Sequence, residues 1–228
     1  MSKPPTVSIL LVTKNGEKYL HDLLSAVRSQ RGHFRMAEIV AVDSGSRDQT
    51  TNIVEQFDGQ VINIKPEEFG HGRTRNLAAY HTTGEYLVFL TQDASPANSD
   101  WLARLIAPLT VDRRIAGGYS RHLPRANCHP MEWRRIVQDE LSGRPDSCLN
   151  ELSDPGYAQN PDHFHFFSNV SSVLRKRIWE NFPFPDVPFA EDQLWAQTVI
   201  EAGYKTTYRA DSLVYHSHGY GTLSLIHI

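Results

Sequence analysis

The amino-acid sequence predicts an α/β domain with a doubly wound, mostly parallel sheet flanked by helices. Short β-branched, apolar runs end at polar loops, and apolar residues at helical spacing follow each run. This order, βαβαβαβ over residues 1–90, is typical of parallel sheets with right-handed crossovers. The 228 residues, 40% of them hydrophobic, suit one domain that buries a substantial core.

Four strands are predicted in this first part, at residues 7–12, 39–42, 61–64 and 86–90. The last of these is apolar without interruption, which indicates burial on both faces. Ligands of such sheets bind at the carboxyl ends of the strands. A functional site is therefore expected in the polar loops that follow these strands.

Helices are predicted between and after these strands. Helical spacing is formed by Leu20, Leu23, Leu24 and Val27 early in the chain, and by Leu102, Leu105, Ile106 and Leu109 after the fourth strand. Ser46 and Gln49 have the spacing of a capping box, which predicts the start of the second helix there.

The second half is less regular, and Gly, Pro, Asp and Asn become frequent between residues 120 and 165. Its predicted elements are a strand at 115–119, a helix from Pro130 to Leu141, a strand within 166–174, a helix at 190–202 closed by Gly203, and short strands at 205–208 and 213–216.

Charge and cysteine content limit the classes of partner and compartment. With 23 Lys+Arg against 26 Asp+Glu the formal charge is -3, so no global basic field favours nucleic acid. Cys128 and Cys148 lack CxxC spacing, and such sparse use fits the cytoplasm without a disulfide. The apolar run at residues 7–12 is too short for a membrane span, and we expect neither signal peptide nor anchor. Peripheral attachment at the inner face of a membrane is compatible with this pattern.

Two aspartates directly follow predicted strands. Asp43 would lie at the ligand edge of the sheet, where its carboxylate can accept from a base N–H or a ribose hydroxyl. Asp93 closes the apolar fourth strand, and a carboxylate beside a diphosphate suits Mg²⁺ or Mn²⁺. The alternative for both residues is an ordinary turn or helix-capping aspartate.

Residues 69–76 contain two arginines, Arg73 and Arg75, and two glycines, and they precede an apolar helical run. Arginines and backbone N–H groups near a helix N-terminus form an anion-binding arrangement, and the glycines permit close backbone approach to a ligand. The alternative is a flexible basic surface loop.

Two further groups could do chemistry. Glu191 and Asp192 open a helix, whose dipole stabilises the ionised carboxylate that a general base needs. Acidic residues at helix starts are also routine dipole partners. His216 and His218 follow an apolar strand and could ligate a metal, although such a pair is often incidental.

Taken in order, these segments resemble glycosyltransferase family 2, with most similarity to its bacterial rhamnosyltransferase-like branch. The resembling segments are residues 7–9, 13–16, 42–46, 69–76, 91–94, 189–193 and 216–218, so the resemblance spans nearly the whole chain. Each segment is modest by itself, but the ordered set is specific.

The resemblance implies a GT-A fold and a role for each matching residue. The implied contacts are Thr13, Asn15 and Asp43 to the nucleoside, Arg73 or Arg75 to the diphosphate, Asp93 with His218 or His216 to the metal, and Asp192 as base with Glu191 in support. Gln92, beside the metal-binding Asp93, stands where the family motif has another aspartate. This departure implies weaker metal affinity.

The resemblance also implies one GT-A domain over residues 1–228. Residues 1–119 would form the nucleotide-sugar-binding half and residues 120–228 the acceptor-side, catalytic half. Relatives usually continue with helices beyond this point, so a C-terminally truncated chain is expected.

The implied reaction is an inverting, metal-dependent transfer of a sugar from a nucleoside-diphosphate sugar to a hydroxyl of a glycan or lipid-linked saccharide. dTDP-rhamnose is the first donor to consider, and a UDP-sugar the second. One alternative is a sugar nucleotidyltransferase, but residues 13–16 contain a single glycine where such enzymes have a glycine-rich loop. The other is a non-catalytic or truncated nucleotide-binding domain of a polysaccharide assembly system.

Overall fold

The computed structural model describes residues 3–217. Within this range the strands are β1 (Thr6–Thr13), β2 (Arg35–Asp43), β3 (Gln60–Asn63), β4 (Tyr86–Thr91), β5 (Ser95–Pro96), β6 (Ile115–Leu123), β7 (Cys148–Glu151), β8 (Ser171–Arg175) and β9 (Lys205–Tyr215). They form one sheet in the order β3-β2-β1-β4-β8-β6-β9-β5, and β7 also pairs with β9.

The helices alternate with the first strands as the sequence predicts. They are α1 (Glu17–Arg28), α2 (Thr50–Gln56), α3 (His71–Tyr80), α4 (Trp101–Val111), α5 (Pro130–Val137), α6 (Pro161–His165), α7 (Lys176–Trp179) and α8 (Glu191–Glu201). A 3₁₀ turn, Pro66–Glu68, precedes α3. No helix of residues 3–217 combines the length and apolarity that a bilayer span requires.

The first half of the sheet is parallel. β1 lies between β2 and β4, and β3 extends the sheet beyond β2, all in the same direction. Val12 is paired with Val42 on one side and with Thr91 on the other. The carboxyl ends of β1, β2 and β4 therefore lie at one level, where the polar loops of the predicted site begin.

The second half of the sheet is mixed. β8 is antiparallel to both of its neighbours, β4 and β6, whereas β9 runs parallel to β6. β5 and β7 pair antiparallel with β9. The predicted predominance of parallel pairing thus applies to the first four strands. In the chain, α7 and α8 follow the antiparallel β8 and precede the long β9.

The sheet is covered by apolar residues on both faces. α1 and α4 pack with Ile9 and Leu11 on one face, and α3 and α8 pack with Leu10 on the other. This alternation along β1 follows from the two-residue repeat of a strand. All of residues 86–90 are buried, which confirms the prediction made for β4.

Three predicted boundaries are wrong. Ser46 does not cap α2, because its hydroxyl donates to Asp43 Oδ2 (2.5 Å) and the helix begins at Thr50. α5 ends at Val137 rather than at Leu141. The two predicted C-terminal strands are one strand, β9, because a register shift against β6 accommodates the residues between them.

Candidate active site

Asp43 lies beneath the loops at the carboxyl edge of the sheet. Its Oδ1 accepts the N–H groups of Gly45 (3.0 Å) and Ser46 (2.7 Å), and its Oδ2 accepts the hydroxyls of Thr13 (3.0 Å) and Ser46 (2.5 Å). The residue is 1% exposed. Each carboxylate oxygen thus serves two protein donors, so Asp43 fixes the shape of the loops around it. Its predicted contact with a nucleoside stays a prediction.

Asn15 joins the loop after β1 to the loop after β2. Its φ of 50° lies in the left-handed region, which Asn tolerates better than most residues. Its N–H donates to Ser46 Oγ (2.8 Å) and its Oδ1 accepts the N–H of Arg47 (2.9 Å). Asn15, which the resemblance places at the nucleoside, therefore holds the two loops together with the help of Ser46, and its predicted contact with a nucleoside stays a prediction.

Gln92 clamps the main chain of Lys14. Its Nε2 donates to Lys14 O (3.0 Å) and its Oε1 accepts the N–H of Lys14 (2.9 Å). An aspartate has no donor and is one methylene shorter, so it could not form this pair of bonds. Gln92 therefore holds the β1–α1 loop in place, at the position where the resemblance leads one to expect an aspartate.

Asp93 and His216 face each other at the sheet edge. His216 Nε2 lies 3.5 Å from Asp93 Oδ2, and the carbonyl of Asp93 accepts from Arg125 Nη2 (2.6 Å). His218, the other predicted ligand, lies outside the described residues. Among residues 3–217, no group of three or more His, Cys, Asp or Glu side chains is arranged to hold a metal ion.

This pair still fits a divalent cation that binds with a nucleotide. Mg²⁺ usually takes one or two protein carboxylates, completes its shell with phosphate oxygens and water, and does not need an all-protein cage. The carboxylate oxygen also suits Mn²⁺. The donor set is therefore compatible with the predicted metal, whose binding stays a prediction.

His122 supports the ring of His216. The two imidazole centroids are 5.7 Å apart, and His122 Nε2 lies 3.3 Å from Ser168 Oγ. Burial, with a smaller contribution from His216, lowers the pKa of His122 to about 3. His122 is therefore a neutral imidazole at physiological pH, and nothing in its sequence context indicated this role.

The two arginines of residues 69–76 both face carboxylates. Arg75 Nη1 lies 2.8 Å from Glu191 Oε1 and donates to His71 O (3.0 Å), and its side chain is 9% exposed. Burial lowers the pKa of Arg75, although Glu191 and Asp192 counteract this. Arg73 pairs with Asp186 (Nε–Oδ1 2.9 Å), and its side chain is 53% exposed.

The close backbone approach at Gly72 is to the protein itself. A Cβ added to Gly72 would lie 2.0 Å from the carbonyl oxygen of Pro185. Packing of α3 against the segment before α8 therefore requires a glycine here, and the predicted close approach of this backbone to a ligand stays a prediction.

Asp192 is held at the start of α8 by two main-chain donors. Its Oδ2 accepts the N–H of Asn169 (3.0 Å) and its Oδ1 accepts the N–H of Gln193 (2.9 Å). Burial, and then the charge of Glu191, raise the pKa of Asp192 above its ordinary value despite these bonds and Arg75. A raised pKa is typical of a carboxylate that exchanges a proton near neutral pH.

Two adjacent cavities lie beside part of this set of residues, and Asp93 and His216 line neither of them. One, of about 400 Å³, is bounded by the loops after β1, β2 and β4, including Thr13, Ser44 and Gln92. The other, of about 360 Å³, is bounded by Ser168, Asn169, Phe189 and the two acidic residues that open α8. His71, Arg75 and Thr91 line both. The predicted nucleotide loops and the predicted base thus lie on either side of a shared wall.

Sequence reasoning missed Asn169. It precedes β8 and donates to both acidic residues of α8, through its N–H to Asp192 and through Nδ2 to Glu191 Oε1 (3.2 Å). The available indication was that four of residues 168–172 are polar, inside a segment that otherwise has the pattern of a buried strand.

The family model described as Glycosyl transferase family 2 matches residues 8–178. The chain belongs to glycosyl transferase family 2. Two Salmonella proteins are among the relatives of this glycosyltransferase. It is 30% identical to O-antigen chain rhamnosyltransferase WbaN of Salmonella anatum, over 95% of this chain and 67% of that protein. With RfbN of Salmonella typhimurium the identity is 29%, over 94% of this chain and 67% of that protein.

Solved glycosyltransferase structures share the fold. Mannosyltransferase PcManGT of Pyrobaculum calidifontis, in complex with GDP-Man and Mn²⁺, aligns with a TM-score of 0.70 at 20% identity, over 97% of this chain and 59% of that one. TarS 1–349 of Staphylococcus aureus in complex with UDP-GlcNAc gives 0.70 at 21%, over 95% and 59%. The GT-A fold implied by the resemblance is confirmed. This glycosyltransferase spans about two thirds of its curated relatives and 59% of these solved chains.

Proposed function

We propose that this glycosyltransferase moves L-rhamnose from a nucleoside-diphosphate sugar to a hydroxyl of a glycan or lipid-linked saccharide, with inversion at the anomeric carbon. The observation that carries the proposal is the pair of cavities separated by His71, Arg75 and Thr91. The two rhamnosyltransferase relatives support rhamnose as the sugar. dTDP-rhamnose is the favoured donor, and a UDP-sugar is the alternative.

Asp192 is the proposed base. Its carboxylate removes the proton of the acceptor hydroxyl as that oxygen attacks the anomeric carbon. The nucleoside diphosphate leaves from the opposite face, so the configuration inverts. Glu191 supports this role because its charge raises the pKa of Asp192, while Arg75 holds Glu191 in place. Loss of a well-placed base costs roughly 10²–10⁴-fold in rate.

The first cavity is the proposed nucleotide site, and residues 1–119 the donor half of a single domain. Thr13 lines this cavity, and we propose that Asn15 and Asp43 act mainly by fixing its loops. Gln92 holds Lys14 at its edge. Arg75 lines both cavities but is paired with Glu191, and Arg73 is half-exposed but lines neither cavity, so either arginine stays a proposed contact of the diphosphate.

Asp93 and His216, with His218, are the proposed ligands of Mg²⁺ or Mn²⁺. When bound, the cation would offset the charge that develops on the leaving diphosphate. The 3.5 Å between Asp93 Oδ2 and His216 Nε2 supports this assignment. The Mn²⁺ in the PcManGT complex supports the choice of cation.

Residues 120–228 form the proposed acceptor side. Phe189 is 78% exposed and lies at the edge of the Asp192 cavity. An aromatic face beside polar side chains is the kind of surface that binds a ligand with one apolar and one polar face, as a pyranose ring has. This arrangement supports a saccharide acceptor.

A cytoplasmic location with peripheral attachment to the inner membrane surface is the corresponding proposal for a lipid-linked acceptor. The observation that supports it is on α5, where Met131, Trp133 and Val137 are exposed beside Arg134 and Arg135. Aromatic and apolar side chains with basic neighbours suit an anionic lipid surface.

A panel of nucleotide sugars tests the proposal. Each would be offered with Mn²⁺ and a saccharide acceptor panel, and the product would be analysed by NMR for its anomeric configuration. Transfer from dTDP-rhamnose with inversion is expected. Retained configuration, or thermal stabilisation by donors without any transfer, would contradict it, and the latter would favour a non-catalytic nucleotide-binding domain. Pyrophosphate release from a nucleoside triphosphate would instead reveal a nucleotidyltransferase.

A further inference from the structure

Asn169 contacts both acidic residues at the start of α8 from a loop that is distant in sequence. The residue is 2% exposed. Its N–H donates to Asp192 Oδ2 (3.0 Å), and its Nδ2 donates to Glu191 Oε1 (3.2 Å). Its Oδ1 accepts the hydroxyl of Ser172 (2.8 Å), which lies within β8. Every one of these contacts crosses between elements or anchors Asn169 to the sheet.

The side-chain amide of Asn169 can donate to Glu191 and accept from Ser172 at the same time, whereas a carboxylate could only accept. Glu191 Oε1 receives two donors, Asn169 Nδ2 and Arg75 Nη1. Ser172 supplies the donor for the oxygen of the amide, so the amide orientation follows from its partners. An aspartate here would bring a third carboxylate against Glu191 and Asp192, beside a buried Arg75 that is already paired with Glu191.

We propose that Asn169 is a positioning residue for the base. Its N–H fixes the Asp192 carboxylate at the cavity, and its Nδ2 keeps Glu191 on Arg75. The inference rests on the proposed role of Asp192. Asn169 acts through Asp192 and Glu191 and needs no contact with the substrates.

The groups around Asp192 set its pKa, so a change at Asn169 can be followed through the titration of Asp192. Glu191 faces it from the same helix, Arg75 and His71 from α3, and the Asn169 N–H from the loop before β8. Burial and Glu191 raise the pKa of Asp192, while the Asn169 N–H and Arg75 lower it. A further negative charge at residue 169 favours the protonated carboxyl, so the pH below which the base is lost moves upward.

The test compares Asn169→Asp with Asn169→Ala and with the control Asn181→Asp. Asn181 is an exposed residue after α7, where its Nδ2 donates to Arg177 O, so the control makes the same chemical change outside the site. Two readouts are used. One is the pH profile of kcat/KM for sugar transfer. The other is the titration of the Asp192 carboxyl by ¹³C NMR, assigned with Asp192→Asn, which requires no turnover.

For Asn169→Asp we expect the acid limb of the profile and the Asp192 titration to move up by about one pH unit or more. The donor dissociation constant should stay within about twofold, and kcat at neutral pH should fall about tenfold or more. Asn169→Ala should lower kcat with a smaller pH shift, and Asn181→Asp should change nothing.

The proposal is overturned if folded Asn169→Asp shows the wild-type Asp192 titration and kcat. If that variant does not fold, Ser172→Ala, which removes one anchor of the amide, must lower kcat without weakening donor binding, and wild-type kcat would again overturn it. Absence of transfer by the wild-type protein would count against the proposed function instead, while the NMR titration would still decide the role of Asn169.

Discussion

Gln92 makes a structural contact at the position where the resemblance leads one to expect an aspartate of the metal-binding motif. Its amide forms paired bonds with the main chain of Lys14, and Lys14 lines the proposed nucleotide cavity. A Cβ at Gly16 would lie 2.6 Å from Gln92 Oε1, so the loop passes close to the amide. The contact links β4 to the loop after β1 and thereby sets the wall of the cavity.

Gln92→Ala should therefore loosen the donor site. We expect a loss of about 1–3 kcal/mol in the free energy of unfolding, since two hydrogen bonds of about 0.5–1.5 kcal/mol each disappear. Donor affinity should fall as well. Urea denaturation and calorimetric donor titration measure the two effects. Gln197→Ala, which removes an exposed bond to Glu201, is the control, and equal effects in both variants would contradict the assignment.

The residues of the site could be predicted from the sequence where their position depends on a single element. Asp93 and Asp192 fall at a strand end and a helix start, and both are found there. The partners of Arg75 and Asp43 could not be predicted in this way. Arg75 pairs with Glu191 more than 100 positions away, and Asp43 turns inward because two hydroxyls and two N–H groups satisfy it.

At the scale of elements, α3 and α8 are joined through the segment between α7 and α8. Asn76 Oδ1 accepts the N–H of Phe184 (3.0 Å) and the Nε1–H of Trp179 (2.9 Å), and Asn76 Nδ2 donates to Phe184 O (2.8 Å). With Gly72 against the carbonyl of Pro185, these bonds fix the distance between the two helices. Arg75 and Glu191 meet because this distance is fixed.

Gly72→Ala should disturb both helices. The added methyl overlaps the carbonyl of Pro185, so we expect a stability loss of about 1–3 kcal/mol and lower transfer activity. Gly70→Ala is the control, since a Cβ there meets the flexible side chain of Arg73 and φ is in the extended range. Thermal unfolding of both proteins measures the difference. A Gly72→Ala protein as stable as the control would show that the segment gives way easily.

The elements of the first half were predictable because each carries its own pattern. Residues 86–90 are apolar throughout and Leu20 to Val27 follow a helical spacing, so local sequence decides their structure. The direction of β8 was not predictable, since antiparallel pairing with β4 depends on the course of the chain through residues 124–170. Ser171 and Ser172 are buried in β8. The hydroxyl of Ser171 accepts from Trp101 Nε1, a partner distant in sequence, whereas the hydroxyl of Ser172 donates to Asn169, three residues earlier.

At the scale of the whole molecule, the sheet edge brings distant segments to two adjoining cavities. Thr91 and His71 lie between the loops of the parallel half and the start of α8. In the proposed function, the parallel half holds the nucleotide and the mixed half holds the proton acceptor. This division agrees with the rule that open α/β sheets bind ligands at the carboxyl ends of their strands.

Asp93→Ala should affect donor binding without affecting the cavity that contains Asp192. We expect metal-dependent donor binding to be lost, because the carboxylate that faces His216 is removed, while the fold and the start of α8 are unchanged. Calorimetry with dTDP-rhamnose, with and without Mn²⁺, measures the effect. Unchanged affinity in the presence of Mn²⁺ would mean that the metal is held elsewhere or is not needed.

The most direct test of the account is to measure donor binding and sugar transfer separately for Asp192→Asn. The account predicts a donor dissociation constant within about threefold of wild type and a loss of about 10²–10⁴-fold in kcat, because the residue lines the second cavity and acts on the acceptor proton. Turnover near the wild-type rate would contradict the assignment of Asp192 as the base.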